Sequence, residues 1–329
     1  MGELIGGHWY RTGLESIVVD GVVHRNPSVF RNWVTRDGSS GFKAEAGRYH
    51  LYVSLACPWA HRTLIMRSLK GLQHLVDVSV VHWFMGEDGW NFTPAPGVIP
   101  DIVNGRSKLY ELYTLTDPNV TTRATVPVLW DKRQRTIVSN ESAEILRMFN
   151  SEFDDIGARP GDYYPAQLRR KIDSVNERVY AQLNNGVYMA GFATTQIAYE
   201  RACERVFATL EWLEERLSAH RYLVGDQLTE ADIRLFTTLV RFDPVYHGHF
   251  KCNRRALIEY PALWDYTRAL YQLPEIRPTV DFAHIKAHYY ASHRQLNGTG
   301  IVPLGPDRNF DAPSNRLRCE RFEARSIGR

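Results

Sequence analysis

Cysteine is scarce in this chain: 329 residues carry four, Cys57, Cys203, Cys252 and Cys319. Thiols so widely spaced make no disulfide framework and suit a reducing cytoplasm. Long apolar runs are missing too. No stretch reaches the roughly eighteen apolar residues of a membrane span, so no transmembrane helix is expected. The opening Met-Gly-Glu-Leu-Ile-Gly-Gly-His-Trp-Tyr lacks the charged and apolar regions of a signal peptide. Charge of one sign is also short: 40 Lys and Arg against 37 Asp and Glu leave +3, too little to argue for nucleic acid. No internal repeat is visible. What is present, 44% apolar and 23% charged residues, is the composition of a soluble globular protein, and the length predicts two domains.

The chain is organised around Ala56-Cys57-Pro58-Trp59-Ala60-His61-Arg62. Tyr49 to Leu55 reads as a strand, being aromatic, β-branched and leucine-rich with no breaker before Pro58. Beyond it Leu64, Ile65, Met66 and Leu69 recur at helical spacing, and Gly71 is a natural C-cap. Pro58 suits the first helical turn, where its missing N–H is an orphan anyway. Cys57 thus stands where a strand hands over to a helix N-terminus, a place that favours the nucleophilic thiolate. Ala60 occupies the position of a resolving cysteine, so the chemistry implied is monothiol. A mixed disulfide with an external small thiol would be resolved by a second small thiol.

Residues 1–46 carry scattered turn signals and no sustained period; an ordered extension wrapped on the following domain and a partly mobile arm both fit. Val76–His82 reads as a second strand, completing a βαβ unit. Residues 83–120 form an aromatic, Gly- and Pro-rich insertion whose aromatic content argues against disorder. Thr125–Asp131 is a strand pattern interrupted by Pro127, which must lie at an edge or in a special geometry such as a cis peptide. Arg135–Ser139 is its hairpin partner, and Asn140-Glu141-Ser142 opens a helix with the stripe Ala143, Ile145, Leu146 and Phe149. Beyond a polar linker the pattern is helical. Stripes run through Leu168, Ile172, Val175, Val179 and Leu183, and through Cys203, Val206, Phe207, Leu210, Leu213 and Leu217. Thr229-Glu230-Ala231-Asp232 is a capping-box variant, and later helices are expected over Pro261–Gln272 and roughly Asp281–His293.

Several other clusters have plainer readings. Cys203 on its apolar stripe reads as core, and Cys252 and Cys319 have no motif around them. His247, His249 and Cys252 lack a fourth ligand at a usual spacing for zinc. His284 and His288 are four apart, but Ile285 follows the first, so the metalloprotease pattern fails. Arg316, Arg318, Arg321 and Arg325 alternate with Glu320 and Glu323, which fits a segment packed on its own or a neighbouring domain.

Taken together, the strand and Cys-Pro helix, Val126-Pro127 before a hairpin, Glu141-Ser142 and the helical half with Thr229 and Asp232 resemble the glutathione transferase superfamily. Ala56–Arg62, Gly89-Trp90-Asn91-Phe92, Ser139–Ile145, Asn184–Tyr188, Phe242–Tyr246 and Ile285–Tyr290 more closely resemble its Xi class, the glutathionyl-hydroquinone reductases, over nearly the whole chain. The resemblance implies an extension (1–46), a thioredoxin-like glutathione-binding domain (47–153), a linker (154–163), an all-helical acceptor-site domain (164–296), a tail (297–329) and a homodimer. The reaction implied converts a glutathionyl-hydroquinone and glutathione into hydroquinone and oxidised glutathione, with glutathione as co-substrate and no metal. Cys57 is the implied nucleophile.

A cis Val126-Pro127 would offer the N–H and C=O of Val126 to the peptide-like backbone of glutathione. Ser142 and the helix N–H groups suit its γ-glutamyl carboxylate and Glu141 its ammonium; plain N-capping is the alternative for both. Trp90 and Arg123 match positions that contact glutathione in the family. Tyr188, Tyr246 and Tyr289 match its acceptor site, where phenols could hydrogen-bond the quinol oxygens and help the leaving phenolate accept a proton; Tyr290 is an alternative to Tyr289. Rival readings are an omega-like thiol transferase or dehydroascorbate reductase with the same cysteine chemistry, and a catalytically idle binding module.

Overall fold

A computed structural model describes residues 2–13 and 16–316. They form two compact units. The first holds the residues up to Val19, Val23–Asp162 and Thr279–Val302; the second holds Asp20–Val22, Tyr163–Pro278 and the residues from Pro303 onward. Cys319, Arg318, Arg321 and Arg325 lie outside the described residues.

The extension consists of short strands: β1 (Gly2–Ile5) and β2 (His8–Arg11) as an antiparallel ribbon, β3 (Val18–Val19), β4 (Val22–Val23), and β5 (Val34–Thr35) parallel to β6 (Phe42–Lys43). Leu4 exchanges both backbone hydrogen bonds with Thr122, at 2.8 and 2.9 Å, and Arg31 bridges antiparallel to Ser139. The first unit's main sheet has the order β10-β9-β7-β8, from β7 (Tyr49–Val53), β8 (Val76–Val80), β9 (Val128–Asp131) and β10 (Thr136–Ser139). β7 is buried throughout, parallel to β8 and antiparallel to β9. The parallel pair requires a crossover, and α1 (Pro58–Leu69) supplies it. In the insertion α2 (Tyr110–Thr116) is the one α-helix among the described residues; α3 (Ser142–Ser151) follows β10 and packs on α1.

The second unit is helical: α4 (Arg169–Val179), α5 (Gly186–Gly191), α6 (Gln196–Ala219), α7 (Glu230–Arg241) and α8 (Pro261–Tyr271). Every residue of α7 is buried, so it is the unit's central helix. The Asp232 carboxylate at its start accepts hydrogen bonds from the Thr229 N–H and hydroxyl, the Leu223 N–H and the Tyr266 hydroxyl, at 2.8–2.9 Å. Tail residue Arg308 pairs with the buried Asp243 at 2.7 Å.

Helix α9 (Phe282–Ser292) starts at Asp281 as read from the sequence, with the Asp281 carboxylate accepting from the His284 N–H at 2.8 Å. It differs in its place: it packs in the first unit, not among the helices of 164–296. The physical reason is a polar stripe, His284, His288 and Ser292, that hydrogen-bonds the backbone of the insertion.

Candidate active site

Cys57 is the N-cap of α1, with extended backbone (φ −75°, ψ 122°) and Pro58 in the first turn. It is half-buried and not in a disulfide. Its Sγ lies 3.6 Å from the Val126 carbonyl oxygen. The Val126-Pro127 peptide is cis and immediately precedes β9, whose ladder with β7 begins at Val128; of the two geometries left open for Pro127, the cis peptide is the one adopted. Two cations flank the helix start: the guanidinium carbons of Arg25 and Arg62 lie 4.4 and 4.5 Å from the Trp59 ring centroid. A helix N-terminus, the positive end of the helix dipole, favours the thiolate of a cysteine placed there.

Glu141 is the N-cap of α3. One carboxylate oxygen accepts from the Ala143 N–H at 3.0 Å and from the Ser142 hydroxyl at 3.5 Å, the other from the Ser28 hydroxyl at 3.1 Å. The capping role is thus made by Glu141 itself, with Ser142 buried beside it. A hub unseen in the sequence connects this helix start to the cis peptide. The Tyr113 hydroxyl donates to the Thr125 carbonyl at 2.8 Å and accepts from the Thr125 N–H at 3.0 Å and the Asn140 side-chain amide at 3.2 Å. Burial pushes the Tyr113 phenol pKa up, which keeps it a neutral donor. Only its place in the aromatic insertion hinted at such a role.

Trp90 is buried and stacks on His288, with centroids 4.8 Å apart and planes 27° from parallel. Arg123 hydrogen-bonds the hydroxyls of Thr12 and Ser16 in the extension. No sequence signal points to Thr12, Ser16, Ser28 or Arg25, because nothing local marks a residue whose partner lies tens to more than a hundred positions away. Tyr289 is buried on α9, 5.5 Å from His293 between ring centroids, while Tyr290 is half-buried.

In the second unit Tyr188 and Tyr246 are 6.0 Å apart and share Phe250, at 5.3 and 5.4 Å. Each tyrosine follows or sits in a π-helical segment, Tyr180–Asn184 and Phe242–His247. Such segments recur at functional sites. Pro244 explains the second: it carries no N–H for an α-helical bond and crowds the preceding turn. His249 beside this cluster is held neutral by burial, its pKa lowered to about 4. Among the described residues no group of three or more His, Cys, Asp or Glu is placed to hold a metal ion.

The N-terminal domain model of the glutathione S-transferases matches residues 56–152, and their C-terminal domain model matches residues 196–269. The glutathionyl-hydroquinone reductase YqjG of Escherichia coli (strain K12) is 54% identical over 323 residues, 96% of this chain and 98% of its own. The glutathione-bound structure of YqjG matches with a TM-score of 0.90 at 52% identity, covering 96% of this chain and 99% of that one. The glutathionyl-hydroquinone reductase PcpF of Sphingobium chlorophenolicum is 54% identical over 306 residues, 93% of this chain and 96% of its own. A Xi class transferase from Natrialba magadii has a TM-score of 0.90 at 48% identity, covering 97% of both chains. The chain belongs to the glutathione transferase superfamily, thioredoxin-like in its N-terminal domain and helical in its C-terminal one, and within it to the Xi class.

Proposed function

We propose that this protein is a glutathionyl-hydroquinone reductase working through Cys57. The observation that carries the reading is the Cys57 thiol at the N-terminus of α1, 3.6 Å from the carbonyl of a cis Val126-Pro127 peptide. A glutathionyl backbone paired with Val126 presents its sulfur to Cys57. The thiolate attacks that sulfur, an S–S bond forms and the sulfur–carbon bond to the ring breaks. The electron pair leaves with the ring, which takes up a proton. A second glutathione attacks the mixed disulfide, giving oxidised glutathione and restoring the Cys57 thiolate.

The remaining assignments follow the same reading. Val126, Pro127, Trp90 and Arg123 hold glutathione, and Glu141 and Ser142 take its γ-glutamyl end. Glu141 already engages the α3 backbone, which supports it as a fixed acceptor for an ammonium. Tyr188 and Tyr246 are assigned to the quinol because they share one aromatic cluster, and Tyr289 because it is buried where Tyr290 is not. Residues 47–153 are the glutathione-binding domain and 164–296 the acceptor domain, apart from α9. We further propose a homodimer in a reducing cytoplasm, the compartment that four widely spaced cysteines suit.

A panel assay tests the function. With glutathione present, glutathionyl-hydroquinones should turn over well ahead of dehydroascorbate; the opposite preference would favour an omega-like thiol transferase.

A further inference from the structure

The stripe of α9 faces the insertion that carries Trp90. His284 Nε2 lies 2.7 Å from the Pro96 carbonyl oxygen, His288 Nδ1 lies 2.8 Å from the Trp83 carbonyl oxygen, and the Ser292 hydroxyl accepts from the Met85 N–H at 3.0 Å. A carbonyl only accepts, so His284 carries its proton on Nε2 and His288 on Nδ1. The approach is close: a Cβ on Gly97, whose φ is +79°, would sit 2.4 Å from His284 Nε2. Three side chains one turn apart thus fix three backbone groups of a segment that has little regular structure of its own. Of the three, His288 also lies in stacking contact with the Trp90 indole.

We propose that His288 is a positioning residue for glutathione binding: it fixes the Trp90 indole by stacking while its Nδ1–H anchors the Trp83 carbonyl. The inference rests on the glutathione role given to Trp90 above. A ring held on one face by a partner that is itself hydrogen-bonded gives up less freedom when a ligand packs against it. His288 therefore acts on glutathione through Trp90 alone, and its substitution should register in glutathione affinity and the KM for glutathione, with kcat at saturating glutathione little changed.

The test is calorimetric titration of glutathione into the reduced full chain, with thermal unfolding of each variant as the folding control. His288→Ala, and His288→Asn, which keeps a donor but loses the ring, should weaken binding about three- to tenfold, the range of an aromatic pair. His288→Phe, which keeps the ring, should stay within about twofold of the parent. In a Trp90→Ala background the His288→Asn change should add little, because both act through one contact. Parent-like binding by His288→Asn, or an equal loss with and without Trp90, would overturn the proposal. Unchanged binding by Trp90→Ala alone would instead overturn the glutathione role of Trp90. If His288→Ala does not fold, the comparison of His288→Asn with His288→Phe decides.

Discussion

The three described thiols differ in what surrounds the sulfur. Cys57 caps a helix at a half-buried position, Cys203 lies buried on α6, and Cys252 is fully buried, where desolvation pushes its thiol pKa up. Brief exposure to oxidised glutathione should therefore label Cys57 and leave Cys203 and Cys252 unmodified; peptide mass spectrometry showing the label mainly on either of those would contradict the assignment. A second residue-scale consequence concerns pH. Burial in the central strand lowers the His50 pKa to about 4. The unfolded chain binds that proton near pH 6.5, so between the two values the unfolded state holds more protons. Stability should fall as pH drops from about 6.5 to about 4 and level off below, with up to about 3 kcal/mol at stake. His50→Gln should flatten the plot of urea midpoint against pH in that window, and an unchanged slope would contradict the account.

At the scale of elements, two local devices hold the second unit's helices. The Asp232 carboxylate collects four hydrogen bonds at the start of α7, so Asp232→Ala should cost about 3 kcal/mol or more by orphaning buried donors. On α5, Gly191 lets the Phe250 ring approach; an added Cβ would meet that ring at 2.3 Å. Gly191→Ala should destabilise by about 1–3 kcal/mol and lower quinol turnover together, since Phe250 joins Tyr188 and Tyr246. Urea unfolding and the turnover assay check both variants. The elements legible in the sequence were those whose signals are local. The Cys57-Pro58 helix start, the hairpin after Val126-Pro127, the α3 start at Glu141 and the Thr229–Asp232 cap each carry their cue within a few residues. The illegible ones depend on distant partners. Arg31 pairs beside Ser139, Tyr113 ties Thr125 to Asn140, and α9 docks on the insertion through main-chain carbonyls, which carry no sequence signature. The π-helical segments, five and six residues long, are too short for a period to show in the sequence.

At the scale of the whole molecule, the extension and α9 are what the bare thioredoxin-like pattern does not predict. α9 stacks on Trp90, and the extension hydrogen-bonds Arg123 and Glu141. Sedimentation velocity should show a homodimer, and a monomer at micromolar concentration would contradict that part of the proposal. The central claim is that Cys57 takes the glutathionyl group before any second thiol arrives. A single-turnover experiment tests it most directly: excess reduced protein is mixed with a glutathionyl-hydroquinone and no free glutathione. One hydroquinone should be released per glutathionyl group consumed, with the group recovered on Cys57 and oxidised glutathione formed only when glutathione is added. Hydroquinone release that waits for added glutathione, or proceeds unchanged in Cys57→Ala, would contradict the claim.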